Sequence, residues 1–348
     1  MPSLVGSEMC IRDSGKACYR SVYGTSYSDV KTKLKERKKV RVNGSIINIE
    51  NLCKEWLENK ESKVKQSTYT NYYSVINNHI IPYFKNRKAR YLTNETVELF
   101  INEKAMKLSE KTVHDIIVLL KQIIKFAVSR KYIEYFDFNV SQPKVKNKEL
   151  AILSKYEHSK LINYIQLTFD INKIGVLLSL FMGVRIGEVC ALKWEDVNFQ
   201  TETLRINKTM QRIKNLDEKA ITKTKIVIDT PKSQKSIREI PIPSFIVNLM
   251  KKYKTDKEKY LLTGTAEFIE PRVYQDMFKT YLKESGIEDI NYHALRHTFA
   301  TRAIEQDFDI KSLSEILGHS SVKFTLERYV HPSEEHKRKN MEKMSVFY

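Results

Sequence analysis

The chain is poor in cysteine and short of acid. Its four cysteines, Cys10, Cys18, Cys53 and Cys190, are scattered and form no CxxC pair, which argues against a disulfide framework or a structural zinc and fits a reduced intracellular protein. No apolar run approaches the roughly eighteen residues that a bilayer span needs. The opening stretch, MPSLVGSEMCIRDS, lacks the apolar core and basic flank of a secretory leader. A cytoplasmic chain without membrane attachment is therefore expected, and residues 1–14 are read as a non-native or disordered tail outside the fold. Acidic residues number 42 against 60 lysines and arginines, a formal charge of +18. That excess points toward a polyanion, of which nucleic acid is the commonest. A lysine-rich protein with no such partner carries the same signature, so charge alone does not decide.

What is present is mostly helical pattern. A chain of 348 residues is long enough for two or three domains with their own cores. Residues 15–42 alternate polar and apolar through Cys18–Tyr23 and turn helical from about Ser28, with a basic run at Lys31–Arg41. Residues 45–140 read as four or so helices. Leu52, Trp56 and Leu57 share one face of the first, Ser67 is placed as an N-cap of the second and Pro82 as its end, and Thr93 and Ser109 precede two more. Neither of these last two sites meets the Ser/Thr-x-x-Glu spacing of a capping box. Tyr69, Tyr72, Tyr73 and Tyr83 read as core or surface residues rather than base-stacking platforms, because a duplex exposes little base face. Residues 141–150, polar and broken by a proline, read as a linker. The remainder, 151–348, adds strand-like stretches at Leu204–Ile213, Lys225–Asp229 and Ile237–Pro241 to further helices. The fold class is thus mainly α with a small antiparallel sheet.

Two stretches carry chemistry. In NYHALRHTFATRAIEQDFDIKSLSEILGHSSVKFTLERYVHP, beginning at Asn291, a helix would turn Leu295, Phe299, Ala300 and Ala303 inward. His293 and Arg296 then share a neighbouring face of its first turn. A second helix over Ile310–Leu317 stops at Gly318 and presents His319 from a fixed turn, with Tyr329 ten residues on. Upstream, the apolar helix Ile174–Met182 ends at Gly183, and a new helix begins near Arg185, placing that cation where backbone N–H groups already favour an anion. The plainer alternative for Arg185 is an ion pair with Glu188, three residues on. His293 and His297 have the i, i+4 spacing of a helical zinc pair, but Ala294 stands where a metalloprotease needs its glutamate. No metal or other cofactor is expected, and His297 is assigned to packing or capping. Tyr348, the last residue, is a poor nucleophile candidate.

GVRIGE at 183–188 with Leu192, Trp194 and Asp196 resembles the first box of the tyrosine recombinases, and HALRH at 293–297, LGH at 317–319 and TLERYVH at 325–331 resemble the second. Between them TPKSQKSIREIPI, from Thr230, is similar to the family's β-hairpin, with Lys232 on the catalytic-lysine position and Lys235 as the competing amine. The likeness covers about the last two hundred residues and implies the catalytic set Arg185, Lys232, His293, Arg296, His319 and Tyr329. It also implies a three-stranded sheet with Lys232 in the turn between its last two strands. Residues 45–140 resemble the family's helical SAM-like core-binding domain, which closes with the DNA breaking–rejoining catalytic domain around a duplex. Residues 15–42 resemble the end of an arm-type DNA-binding domain, here truncated.

The residue types suit the reaction that the resemblance implies. Two guanidiniums can bracket the non-bridging oxygens of a phosphodiester and replace a metal ion. Tyr329 offers a nucleophile whose ordinary pKa, about 10, is far below that of an aliphatic hydroxyl. Its phosphate ester keeps the bond energy, so a 5′-hydroxyl can reverse the attack without ATP. Lys232 would protonate the departing 5′-oxygen, His293 would assist proton movement at the tyrosine, and His319 would hydrogen-bond a phosphate oxygen. The expectation is a site-specific recombinase of the integrase type acting on double-stranded DNA as a homotetramer, with an accessory excision factor as a further candidate partner. The alternatives are a catalytically silent DNA-binding regulator on the same scaffold and a type IB topoisomerase-like relaxing enzyme.

Overall fold

The computed structural model describes residues 4–11, 17–33, 47–140, 150–217, 219–230, 236–330, 338 and 341–347. They belong to two units, Met1–Asn147 and Lys148–Tyr348. Residues 141–149 of the expected linker lie outside the described residues.

In the first unit β1 (Leu4–Ile11) pairs antiparallel with β2 (Ala17–Gly24), from Leu4 opposite Gly24 to Ile11 opposite Ala17. Leu4–Ile11, part of the stretch expected to stand outside the fold, is thus a strand. The single strand read from the alternation at Cys18–Tyr23 needs partners for its backbone groups, and the preceding segment supplies them. Its own pattern, LVGSEMCI, alternates too poorly to have announced a strand. A helix, α1, follows over 27–33.

The rest of this unit is a helical bundle. α2 (Ile49–Glu61) is capped by Asn48, whose side chain accepts from Asn51 N–H, and it buries Ile49, Leu52, Cys53, Trp56 and Leu57 along one stripe. α3 (Gln66–Val75) starts after Lys65, without a side-chain cap, rather than at Ser67. Nor does Pro82 end it. One π turn (Ile76–Ile80) leads into α4 (Ile81–Phe84), with the Ile81 N–H bonded to the Ile76 carbonyl five residues back. Widening the spiral there accommodates a ring that would clash with the carbonyl four residues earlier in a regular helix. α5 (Asn94–Ala105) and α6 (Glu110–Ser129) complete the bundle. A capping box does form at Thr93: Thr96 takes the place of the expected acid and accepts the Thr93 N–H at 3.0 Å. Trp56, Phe84 and Phe100 sit in the core with the apolar stripe of α6, and Tyr69, Tyr72, Tyr73 and Tyr83 pack against it.

The second unit contains α7 (Lys155–Leu167), α8 (Ile174–Met182), α9 (Ile186–Ala191), β3 (Val197–Asn198), β4 (Thr203–Ile206), β5 (Thr209–Lys214), β6 (Thr224–Asp229), β7 (Arg238–Pro241), α10 (Ser244–Tyr253), α11 (Pro271–Glu284), α12 (His293–Glu305), α13 (Ile310–Leu317) and α14 (Val322–Tyr329). A capping box between Ser154 and Glu157 starts α7. α8 buries eight of its nine residues, so it is a central post rather than an amphipathic surface helix. Tyr292, just ahead of α12, donates its hydroxyl to the Gly175 carbonyl at 2.6 Å and accepts from Ser179 at 2.8 Å, which keeps α12 in register on α8.

The strands depart from the expected single sheet. β3, β4 and β7 form one antiparallel sheet in that order, and β5 pairs only with β6 as a separate ribbon. The run Leu204–Ile213 therefore divides at Asn207–Lys208. β5 leaves the sheet to cross the first turn of α9, where a Cβ on Gly187 would lie 2.6 Å from the Met210 carbonyl oxygen. β6 and β7, on either side of residues 231–235, do not pair with each other, and Lys232 and Lys235 lie outside the described residues. Among the described residues no helix is long and apolar enough to cross a membrane.

The close approach at Gly187 gives a stability test. Gly187→Ala must push β5 off α9, at a cost of about 1–3 kcal/mol. The melting transition of this unit is expected to fall by roughly 2–12 °C in calorimetry of the full chain.

Candidate active site

The site grows from two helix ends. α13 stops where Gly318 takes a left-handed conformation, φ 62°. The Gly318 N–H closes onto the Glu315 carbonyl and the His319 N–H onto Ser314, the double closure of a Schellman motif. The carbonyls of residues 316–318 are left for other donors. Three arginines take them in order: Arg238 Nε bonds Ile316 at 2.6 Å, Arg296 Nη2 bonds Leu317 at 2.7 Å, and Arg185 Nη2 reaches Gly318 at 3.4 Å. A Cβ on Gly318 would fall 3.1 Å from the Arg238 side chain, so the glycine answers both to its conformation and to this approach.

Arg296 is the buried member, with 2 % of its surface exposed. From the inward face of α12 it also donates Nη1 to the Gly183 carbonyl, at the end of α8, at 2.6 Å. Two helix C-termini thus direct their carbonyl dipoles at one guanidinium. Burial, with Arg185 close by, draws its pKa down to about 9, so it remains charged at neutral pH.

Arg185 precedes α9, as its spacing predicts, and the plainer reading is also realised. Its Nη1 donates to Glu188 at 2.8 Å, and the Glu188 carboxylate accepts the Arg185 backbone N–H at 3.0 Å. The anion at this helix start is therefore the chain's own carboxylate. Glu188, 3 % exposed, also holds Arg238 through two bonds of 3.1 and 2.9 Å. Burial pushes the Glu188 carboxyl up, but the hydrogen bonds and charge of Arg238, with the charge of Arg185, outweigh it and hold it down at about 2. Arg238 and Glu188 were not singled out as site residues. The signal was there in two opposite charges inside runs that otherwise read as core and strand.

His319 follows directly from the Gly318 turn. Its Nε2 lies 2.9 Å from Arg296 Nη2, and its Nδ1 lies 2.8 Å from Thr325 Oγ1. A guanidinium only donates, so Nε2 accepts and Nδ1 carries the proton toward Thr325. Burial, then Arg296, Arg185 and Arg238, lower its pKa to about 3, so the ring is neutral. Both ring nitrogens are therefore engaged in this state, and the expected bond to a phosphate oxygen requires one to be released.

Tyr329 ends α14 with 7 % of its surface exposed, among Phe299, Ala300, Ala303, Leu313 and Leu317. Its ring lies parallel to that of His319, 6.2 Å between centroids. Burial raises its pKa, and the nearby Arg296, Arg328 and Arg185 oppose that rise, so the phenol keeps its proton at neutral pH. The residue 2.8 Å from its hydroxyl is His297, through Nδ1. This differs from the packing or capping role that the sequence suggests for His297. His293 stands beside it, edge-on at 4.5 Å between ring centroids and more exposed than His297. Burial by surrounding protein and neighbouring positive groups bring both histidines down to about 4. The structure thus brings Arg185, Arg296, His293, His319 and Tyr329 together. Lys232 and Lys235 lie outside the described residues. Among the described residues no three His, Cys, Asp or Glu side chains cluster as a metal site.

Fold and site define a class: a helical unit followed by a mixed unit in which arginines bonded to helix-end carbonyls lie near a tyrosine hydroxyl, with no acid–metal cluster among the described residues. The chain belongs to the phage integrase family, whose pattern residues 151–336 match, and residues 48–105 match the phage integrase N-terminal SAM-like domain. A tyrosine recombinase XerC-like protein of Caldanaerobacter subterraneus subsp. tengcongensis is 26% identical over 92% of this chain and 89% of its own length. The integrase of Staphylococcus phage L54a is 27% identical over 84% of this chain and 91% of its own. Among solved structures, the Tn1549 transposon integrase in complex with transposon right end DNA has a TM-score of 0.70 at 20% identity, covering 86% of this chain and 100% of that one. A lambda integrase tetramer bound to a Holliday junction has a TM-score of 0.62 at 15% identity, covering 92% and 94%.

The buried Glu188 pair sets a pH test. A carboxyl held at about 2 adds stability that is present above the ordinary glutamate value, about 4.3, and is lost as pH falls through the folded one. Wild type is expected to lose on the order of 3 kcal/mol from this group across that window. Glu188→Gln is expected to lack that acid-side loss while being about 3–5 kcal/mol less stable at neutral pH, because it leaves Arg238 a buried cation without its counter-charge. Denaturant titrations at several pH values read both effects.

Proposed function

We propose that the chain cuts and rejoins duplex DNA at specific sites through a covalent 3′-phosphotyrosyl intermediate, moving a mobile element into or out of a chromosome. The observation that carries this reading is the enclosure of one protonated phenol, Tyr329, by Arg296, Arg185 and two uncharged histidines, His297 and His319. Such a pocket has excess positive charge and suits an anion that gains charge during reaction.

Arg296 and Arg185 bind the non-bridging oxygens of the scissile phosphate. Arg296 is fixed by backbone carbonyls before DNA arrives, so little reorganisation is left for the transition state. Arg185 keeps about a third of its side chain exposed, enough to turn toward an incoming phosphate. Tyr329 attacks phosphorus, and an amine from the connection at 231–235, Lys232 or Lys235, protonates the leaving 5′-oxygen. The 5′-hydroxyl of a partner strand reverses the step, so no energy source is consumed. Exchange between two duplexes requires four cleaved strands, hence four copies of the chain. The protein works in the cytoplasm, where its DNA is.

A nicked suicide duplex carrying the junction sequence that flanks the gene tests the reading. Wild type is expected to form a covalent protein–DNA complex, and Tyr329→Phe none. Arg296→Lys, which cannot span two carbonyls and an imidazole, is expected to slow complex formation by about 10²–10³-fold. Absence of the complex from wild type would leave a silent DNA-binding regulator. Duplex affinity should fall steeply with salt, because bound lysines and arginines release condensed counterions. A flat response in a filter-binding titration would count against duplex DNA as the partner.

A further inference from the structure

We propose that His297 is the base that takes the phenolic proton of Tyr329 during cleavage and returns it during rejoining, a role that rests on the recombinase reading above. Its Nδ1 lies 2.8 Å from the Tyr329 hydroxyl. Direction follows from the neighbours. The phenol keeps its proton at neutral pH, the His297 ring is uncharged, and the cations near the hydroxyl, Arg296 and Arg328, have no lone pair to offer it. The neutral imidazole Nδ1 is thus the acceptor within reach of the O–H. An imidazole that accepts at Nδ1 carries its own hydrogen on Nε2 and is free to take a second proton.

The groups facing this ring are His293 and Arg296 on its own helix and Arg328 and Tyr329 on α14. In the free protein these positive neighbours keep the imidazole unprotonated and ready to accept. A bound phosphodiester brings the negative charge that makes the imidazolium tolerable at the moment it forms. His293 has no such hydrogen bond to the phenol; its ring lies edge-on against His297.

The step balances. A bond forms between Tyr329 Oη and phosphorus as the phenolic proton passes to His297 Nδ1. The bond between phosphorus and the 5′-oxygen breaks, and that oxygen takes its proton from the lysine. On return, the attacking 5′-hydroxyl gives its proton to the lysine, and the imidazolium restores the proton to the phenol.

The test compares the suicide duplex with a second one whose scissile 5′-oxygen is sulfur, a leaving group that needs no acid. His297→Asn keeps a polar atom near the Nδ1 position but cannot hold a proton. It is expected to bind the duplex as wild type does and to form the covalent complex about 10²–10⁴-fold more slowly on both substrates. On the sulfur substrate its rate should climb about tenfold per pH unit between about pH 6 and 9, because solvent must then deprotonate a phenol of pKa near or above 10, whereas wild type stays flat. His297→Ala, the second variant, should regain rate with added imidazole. A wild-type rate for His297→Asn, recovery of that variant on the sulfur substrate, or a lowered rate with the wild-type pH profile would overturn the role of His297 and leave the recombinase reading standing. Failure of wild type itself to form the complex overturns both.

Discussion

Everything in the site hangs from the carbonyls at the end of one short helix. Three consecutive acceptors at residues 316–318 receive Arg238, Arg296 and Arg185, which come from a strand, a helix interior and a helix start far apart in the chain. Backbone carbonyls are well suited to this task. They cannot ionise or change rotamer, and at a helix C-terminus they carry a partial negative charge that no regular structure satisfies. A carboxylate in the same place would hold the arginines more tightly but would cancel the charge a phosphate must meet. Glu188 is the one acid among them, and it faces Arg238 and Arg185 while Arg296 is left to dipoles and an imidazole.

Proton states follow from that choice. His293, His297 and His319 are all uncharged at neutral pH, through burial and through the guanidiniums around them. Tyr329, by contrast, is held protonated by burial against the pull of the same cations. Fixed positive charge thus comes from groups that cannot lose it near neutrality, while the groups that can exchange protons are kept neutral. Lasting charge and exchangeable protons sit on different side chains.

Much of this was legible in the sequence because it was written in local signals. The apolar run Ile174–Met182 with Gly183 after it, and Ile310–Leu317 with Gly318 after it, fixed two helices and their ends. The three-residue spacing of His293 and Arg296 placed them on one turn. Other features depended on what the chain meets in space. Pro82 reads as a stop, yet a π turn carries the helix past it because the bundle still rewards burial of Phe84. The strand pattern of Leu204–Ile213 does not say that its halves serve different sheets; the close packing of β5 on Gly187 does. His297 gave the same signal as any core histidine, since a hydrogen bond to a residue 32 positions later has no local trace.

The apolar cluster around Tyr329 is small: six buried residues, Phe299, Ala300, Ala303, Leu313, Leu317 and Tyr329 itself, counted apart from the main core of the unit. α14 brings only Tyr329 to it; Val322, Phe324 and Leu326 on the same helix are 38%, 49% and 40% exposed, with Phe324 edge-on against His319. A segment anchored by two aromatic rings and a few polar bonds can detach at a fraction of the cost of global unfolding. The Tyr329 hydroxyl is thus carried by a helix with one apolar anchor in this cluster, while Arg296 is buried and held by the carbonyls of two other helix ends. Release of α14 would therefore leave the main core of the unit and the carbonyl bonds of Arg296 in place, so a melting curve alone would not register it.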